Sequence, residues 1–318
     1  MNGFWSVIFS AGFVATIIRV TTPIIFASMA CLIAKKAGVR NITIEGTMLV
    51  SALAGVVASA YLKNVWLAVL IGMRAGVGIG LFLGYFHIIM DTDIWLTGIA
   101  INLIANGGTV FAMFAITGDK GSTASLASLT VPNINIPIIK DIPILGEILS
   151  GHSFFTYLAI VSVIVMYVLL YKTPLGLRIR AVGEYSMAAE SVGENSNRIK
   201  LIALALSGMF ASFGGMFMSM SYASRFVRDM MAGRGFIGIA AESMGGGHPF
   251  GAAFAAAIFG VADALANVLQ SFSIPSELLL MIPYLATIVG LVLYSIRRQE
   301  AEKKRIQKMR QSNTVKEG

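Results

Sequence analysis

The stretch TPLGLRIRAVGEYSMAAESVGENSNRIK, residues 173–200, is the long polar insert between two strongly apolar parts of the chain. Its centre has the apolar spacing of a short amphipathic helix. Pro174 and Gly176 predict a break before that helix, and Gly193 followed by Asn195 predicts its end. A polar insert of this length is either a solvated loop or a docking element for a partner protein.

The composition around the insert is that of a polytopic membrane protein. Apolar residues make up 56% of the 318 residues and charged residues only 13%, about half the charged share of a soluble domain. The 33 glycines suit the close packing of helices in lipid. The single Cys31 lies in an apolar run, which excludes a disulfide framework and a thiolate metal site and predicts a small core residue.

The basic residues lie between or beyond the apolar segments. The formal net charge is +8, with three basic residues at 35–40, five at 172–200 and eight after position 296. This distribution follows the positive-inside rule and argues against nucleic-acid binding. It predicts that these three regions are cytoplasmic, with the N-terminus outside and the C-terminus inside. Three arginines at 225–234 would fall outside, against the bias.

Hydropathy predicts an all-α transmembrane helix bundle, because a spanning helix needs about 20 apolar residues. Residues 1–296 form the transmembrane domain, including the 173–200 insert and an irregular outer loop at 117–152. Residues 297–318 form a basic cytoplasmic tail. Of about nine membrane segments, the seventh is too short to cross alone. The segments cover about 13–34, 45–61, 65–90, 94–116, 154–171, 201–222, 236–246, 252–269 and 278–296.

Four glycines in the third segment are spaced four residues apart. Gly72, Gly76, Gly80 and Gly84 therefore share one helix face, where a neighbouring backbone can approach closely. The letters GVGIG in this run are not a dinucleotide-binding loop, because they lie inside an apolar helix with no strand before it. The glycines thus predict helix packing.

A few polar side chains lie inside the apolar segments. Asn102 and Asn106 are one turn apart, and their amides either bond to a neighbouring helix or line a wet path. Glu242 and Asp263 are either ion-coupling groups of a secondary transporter or structural carboxylates bonded at helix ends. Glu45 and Asp263 are assigned structural roles, although an ion-coupling role stays open for Asp263. For Asn102, Asn106 and Glu242 both interpretations stay open.

The common catalytic and nucleotide-binding motifs are missing from the sequence. It has no G-x-x-x-x-G-K-S/T phosphate loop, no H-E-x-x-H and no G-x-S-x-G. The three histidines are far apart in the chain, which argues against a metal site. We therefore expect no catalytic residue, metal or cofactor on this chain.

Three stretches resemble the permease subunits of bacterial ATP-binding-cassette (ABC) importers, in the branch that transports ribose, simple sugars and nucleosides. They are AGVRNITIEGTML at 37–49, PLGLRIRAVGEYSMAAESVG at 174–193 and GRGFIGIAAESMGGGHPFGAAFAAAIFGVADAL at 233–265. The resemblance extends over most of the chain, from about 19 to 295. The forms NITIEG and AVGE are most similar to nucleoside permeases that work with basic-membrane lipoproteins. The run from Glu242 to His248 departs from the more apolar family pattern.

The resemblance implies that ATP and Mg bind a separate ATPase subunit and that the polar insert docks on that subunit. Ala188 and Ala189 would pack in the ATPase groove, with Glu184 and Glu190 at its rim. Gly183 and Gly193 would allow the turns before and after this docking helix. The implied coupling residues are Arg178, Gly183, Glu184, Ala188, Ala189, Glu190 and Gly193.

The resemblance also implies a second permease chain, identical or a longer sister, and an external substrate-binding lipoprotein. The protein would lie in the bacterial plasma membrane, and its expected solute path includes Asn102, Asn106 and Ser219. Two other classes remain open. One is an ion-coupled secondary transporter of a small polar solute, which would use Glu242 and Asp263. The other is an integral-membrane enzyme or scaffold.

Overall fold

The computed structural model describes residues 10–137 and 145–270, together with a few positions between 285 and 296. Most of the predicted ninth segment, 278–296, and all of the basic tail, 297–318, lie outside the described residues.

Seven helices within the described residues are long and apolar enough to cross a membrane. They match the predicted segments to within about five residues, because a chain in lipid must satisfy its backbone hydrogen bonds within each helix. With the shorter helices between them, they are, in chain order, α1 (Ala11–Lys36), α2 (Ile44–Leu62), α3 (Val65–Gly84, continued by the π-helical turn Tyr85–Ile89), α4 (Ile94–Thr117), α5 (Leu145–Leu149), α6 (Phe154–Lys172), α7 (Pro174–Glu184), α8 (Ser186–Ser191), α9 (Ser196–Phe217, continued by the π-helical turn Met218–Tyr222), α10 (Arg234–Met244) and α11 (Pro249–Gln270).

Side-chain caps fix where most of the long helices begin. A polar residue precedes the helix, and its oxygen accepts a hydrogen bond from a backbone N–H of the first turn, which has no intrahelical partner. These caps are Ser10 on α1, Asn64 on α3, Asp93 on α4, Ser153 on α6 and Asn195 on α9.

Helix α1 lies in the centre of the bundle and contacts α6, α9, α10 and α11. Helix α3 packs along α9 through its four glycines, Gly72, Gly76, Gly80 and Gly84, all of which are buried. A Cβ atom on Gly76 would lie 2.5 Å from the carbonyl oxygen of Gly208 in α9. The two backbones therefore approach to a distance that a side chain would prevent.

Long-range contacts define two ends of the bundle. At the insert end, the polar insert lies against the end of α1, with Gly183 on the backbone of Lys36. At the loop end, the strands β1 (Asn133–Ile134) and β2 (His152–Ser153) pair in antiparallel register. The 117–152 loop has no long helix in its described part, as predicted.

Helix α10 is one part of a broken segment. Its 11 residues span about 16 Å, too little to cross a bilayer. The irregular stretch 223–233 before it starts at the loop end, where the N–H of Phe226 donates to Thr123 Oγ1 at 3.0 Å. Left-handed backbone conformations bend this stretch at Ser224, Asp229, Ala232 and Gly233.

Arg234, one of the three arginines predicted to lie outside, takes part in an ion pair. This residue begins α10 and forms an ion pair with Asp263 of α11, 3.1 Å between Nη2 and Oδ2. The pairing offsets the charge of Arg234, and the side of the membrane on which the three arginines lie stays a prediction.

Candidate functional site

The polar insert contains two helices, α7 and α8, where the sequence predicted one. Pro174 is the first residue of α7, and the Thr173 hydroxyl accepts the Gly176 N–H at 3.1 Å. Proline is well tolerated at this position because its missing N–H would have no partner in the helix. Pro174 thus separates the insert from α6, which ends at Lys172, as predicted. The helix α7 that begins at Pro174 was not predicted.

Gly193 follows α8 with φ of +91°, in the left-handed region that favours glycine. The side chain of Asn195 then caps α9. The insert therefore ends where Gly193 and Asn195 predicted.

Gly183 lies within α7 and does not make a turn. A Cβ atom at this position would lie 2.8 Å from the carbonyl carbon of Lys36 and 2.9 Å from the nitrogen of Gly38. The missing side chain allows α7 to lie directly on the last turn of α1. The expectation that Gly183 permits a turn is thus corrected to a close backbone contact.

The exposed surface of the insert differs from the expected one. Ala189 is only 5% exposed and packs against this chain's own core, so Ala188 alone of the two alanines is available to a partner. Large apolar side chains are exposed beside it, Met187 at 69% and Val192 at 80%. A polar segment that exposes such residues together is typical of a protein interface. Sequence reasoning placed these residues in the helix but assigned the contact to the alanines.

Charged groups flank this surface. Glu184 and Glu190 are exposed. Arg178 forms an ion pair with Glu194, 2.9 Å between Nε and Oε1, which links α7 to the turn after α8. Both side chains are partly exposed, and pairs of this kind stabilise a fold only weakly.

Glu45 closes the N-terminus of the short helix α10. Its two carboxylate oxygens accept the backbone N–H groups of Gly233 and Gly235, each at 2.7 Å. Glu45 is 8% exposed. The carboxylate satisfies donors that would otherwise lack partners at membrane depth, so Glu45 connects α2 to the broken segment.

The two carboxylates of the ion-coupling hypothesis are both paired with cations. Asp263 pairs with Arg234, as described above. Glu242, fully buried, accepts the ammonium of Lys35 at 2.7 Å through Oε2. These pairs give each carboxylate a structural partner.

Two of the three residues predicted for the solute path make hydrogen bonds between segments of the bundle. Asn102 donates to the carbonyl of Ile42 at 2.9 Å and accepts the N–H of Gly46 at 2.9 Å, which attaches α4 to α2. The fully buried Ser219 donates to the carbonyl of Ala52 at 3.0 Å. Asn102 and Ser219 thus hold helices together, and their place on the solute path stays a prediction. Asn106 is exposed on α4.

A bundle of membrane-spanning helices with a helical insert that exposes apolar side chains is typical of an integral-membrane transport subunit. Residues 13–293 match the family described as the permease component of the branched-chain amino acid transport system, and the chain belongs to this family.

Several characterised permeases are similar to the chain. The guanosine ABC transporter permease protein NupQ of Bacillus subtilis is 35% identical over 292 residues, 88% of this chain and 91% of NupQ. The nucleoside ABC transporter permease protein NupC of Lactococcus lactis is 30% identical, covering 88% and 91%. The glucose ABC transporter permease protein TsgB13 of Haloferax volcanii is 28% identical, covering 70% and 61%. No solved structure matches the chain.

These relatives confirm the resemblance to the sugar and nucleoside branch of ABC permeases. The chain is a membrane permease subunit of an ABC importer and a multi-pass protein of the cytoplasmic membrane. Its family implies an ATPase partner and a substrate-binding protein.

Proposed function

We propose that this chain imports a nucleoside, delivered by an external binding lipoprotein and driven by a separate ATPase subunit. The similarity to guanosine and nucleoside permeases over about nine-tenths of both chains supports this substrate class. A simple sugar is the second candidate, because a glucose permease is also similar. ATP and Mg bind the ATPase, and this chain holds no cofactor and catalyses no reaction.

The exposed apolar surface of α8 is the observation that supports coupling to an ATPase. Ala188 allows close approach, while Met187 and Val192 provide apolar contact area. Glu184 and Glu190 at the rim contribute to partner choice through charge complementarity.

Movement of the insert can be transmitted to the membrane-spanning helices in two ways. The insert is continuous with α6 at Lys172 and with α9 at Ser196. The insert also contacts the end of α1 through the backbone at Gly183. Displacement of the insert when the ATPase subunits close would therefore move three helices together and change access to the path.

The proposed topology has the insert end in the cytoplasm and the N-terminus outside. The stretch 223–233 with α10 makes one broken crossing, and residues 278–296 supply the ninth. Residues 1–296 are the permease domain and 297–318 a cytoplasmic tail. A second permease chain, identical or a longer sister, completes the path.

Ala188→Arg tests the docking surface. A long charged side chain here prevents close approach, so we expect less ATPase to copurify with the permease and less ATP-driven uptake. The thermal midpoint of the permease should not change, because Ala188 is exposed. Glu190→Ala should weaken assembly less, as expected for a charge at the rim.

Asn197→Arg, an exposed residue in the first turn of α9, is the matched control and should leave assembly intact. Full assembly and transport by Ala188→Arg would contradict the docking role.

Single cysteines test the topology. In a background without the buried Cys31, a cysteine at Ser128 should react from outside with a membrane-impermeant thiol reagent. A cysteine at Asn195 should react only after the membrane is permeabilised. The opposite pattern would invert the proposed orientation.

Uptake into vesicles tests the energy source and the substrate. The permease, its ATPase and its binding protein should take up guanosine only when ATP is supplied inside the compartment that holds the ATPase. A protonophore should have no effect while ATP is constant. Collapse of uptake under the protonophore would support the ion-coupled alternative instead.

A further inference from the structure

Two cavities meet at the ion pair between Lys35 and Glu242. One cavity, of 550 Å³, is mostly polar and touches Gly183 and Glu184 of the insert. The other, of 490 Å³, is mostly apolar and lies between α1, α4 and α10. Lys35, Glu242 and Ser243 line both cavities. We call the second one the interior cavity.

The interior cavity has the dimensions and lining of a small-molecule site. Its volume is within the range of ligand pockets, which combine apolar walls with a few polar groups. Two aromatic side chains, Trp95 of α4 and Phe236 of α10, lie on its walls and are each about half exposed. Arg40 lies over one face of Trp95, 5.8 Å from the ring centroid, so Phe236 and the other face of Trp95 are available to stack against a flat ring of a solute.

Glu242 is a buried polar group of this cavity with unused hydrogen-bonding capacity. Its Oε2 accepts Lys35, whereas Oε1 is buried and has no hydrogen-bond partner. By contrast, the amide of Asn41 on the same cavity is engaged by Ser207 and Thr43. A buried carboxylate oxygen without a donor is costly. The position therefore favours a donor that arrives with a ligand.

We infer that Glu242 binds the transported solute through its free oxygen and selects solutes that present two adjacent hydrogen-bond donors beside a flat ring. This inference rests on the proposed function and assigns a site to it. A nucleoside offers such a donor pair in two places, the ribose diol and the N1–H and amino edge of guanine. Trp95 and Phe236 would contact the base, and Lys35 holds the carboxylate in place.

The site also accounts for the sequence departure at Glu242. An apolar residue here would leave the interior cavity without its acceptor. The contact of the adjoining cavity with Gly183 and Glu184 places this site next to the coupling insert. A solute released past Lys35 and Glu242 would enter the polar cavity at the insert end.

The test measures binding to the permease–ATPase complex assembled without the binding protein, because that protein has its own selectivity. Radiolabelled guanosine is displaced by unlabelled guanosine, by inosine, which lacks the amino donor, and by 2′-deoxyguanosine, which lacks one hydroxyl. The analogue that lacks the donor facing Glu242 should bind roughly 10-fold more weakly to the wild-type complex. The other analogue identifies which of the two donor pairs is used.

Glu242→Gln should weaken guanosine binding. It should also reduce the preference for guanosine over the more weakly bound analogue from roughly 10-fold to about two-fold or less. A purely structural Lys35–Glu242 pair would lower all three affinities together and leave their ratio unchanged. Phe236→Ala, at a half-exposed position that should tolerate the change, should weaken all three purines by roughly 10-fold and keep the ratio. Asp91→Asn, an exposed carboxylate outside both cavities, is the control and should change nothing.

Undiminished affinity in Phe236→Ala would rule out the stacking contact. Equal binding of all three compounds to the wild type, or an unchanged ratio in Glu242→Gln at any affinity, would overturn the inference. So would guanosine uptake by the complete complex with no binding of guanosine at millimolar concentration. ATP-driven uptake of guanosine by the complete complex is measured in parallel. Its absence contradicts the proposed function, whereas normal uptake with an unchanged ratio in Glu242→Gln contradicts the inference alone.

Discussion

Replacement of Gly183 by alanine tests whether α7 transmits force to α1. The added methyl group would lie 2.8 Å from the carbonyl carbon of Lys36 and 2.9 Å from the nitrogen of Gly38, and closer still to the Lys36 carbonyl oxygen. These neighbours are backbone atoms, so α7 itself must shift, by roughly 1–1.5 Å, to restore ordinary contact.

The free-energy cost follows from two opposing terms. Overpacking against rigid backbone atoms costs about 2–3 kcal/mol, the upper part of the usual range, and the better helix propensity of alanine returns about 1 kcal/mol. A net loss of about 1–2 kcal/mol corresponds to a roughly 5- to 30-fold smaller population of the docked arrangement. Because the ATPase-facing side of the insert is unchanged, we expect the complex to assemble and to hydrolyse ATP.

The assay is the ratio of solute taken up to ATP hydrolysed in proteoliposomes. Gly183→Ala should lower this ratio several-fold, because hydrolysis is less well linked to α1. Gly78→Ala is the matched control, since a Cβ at this helical position meets nothing within 4 Å. An unchanged ratio in Gly183→Ala would refute the role of this contact in coupling.

Two further predictions concern stability in the membrane part. Gly208→Ala should lower the thermal midpoint, at a cost of about 1–3 kcal/mol, because its methyl group meets the carbonyl oxygen of Gly76 in α3. The control Gly78→Ala, also in α3, should leave the midpoint unchanged or raise it. Equal midpoints for the two variants would argue against close α3–α9 contact. Asp263→Ala leaves Arg234 without its ion-pair partner and should lower the free energy of unfolding by about 3–5 kcal/mol. The added change Arg234→Met should largely restore this stability. A double variant no more stable than the single one would show that the pair is not what the mutation disrupts.

The long helices were predictable because lipid imposes a strong local rule. A stretch such as 94–117 must close its own hydrogen bonds over the membrane thickness, so its composition alone defines it. The capping side chain of Asp93 marks the start of this helix within the sequence itself. The glycine spacing in α3 is equally local, and it predicted a packing face.

The insert was harder to predict because its residues have more than one local role. Pro174 separates the insert from α6 as predicted, but proline is also well tolerated at the first position of a helix, and the helix α7 that begins there was missed. Which side of the short α8 faces the chain depends on tertiary contacts. The burial of Ala189 beside the exposed Ala188 therefore had no local signal.

The buried polar groups were the least predictable because their partners are distant in sequence. Glu45 bonds to Gly233, 188 residues further along the chain. Asn102 left two alternatives open, and only the position of α2 relative to α4 decides between them. The resemblance to nucleoside permeases indicated the class of protein but not these contacts.

The cap that Glu45 places on α10 has a consequence for how the chain is made. Synthesis delivers Glu45 to the membrane well before the ribosome reaches Gly233 and Gly235, so an acceptor is already waiting for their N–H groups. An eleven-residue helix that cannot insert by its own hydrophobicity can then insert by packing against helices that have already assembled. Biogenesis of the broken segment is thereby expected to be late and to depend on α2, whatever solute the finished transporter carries.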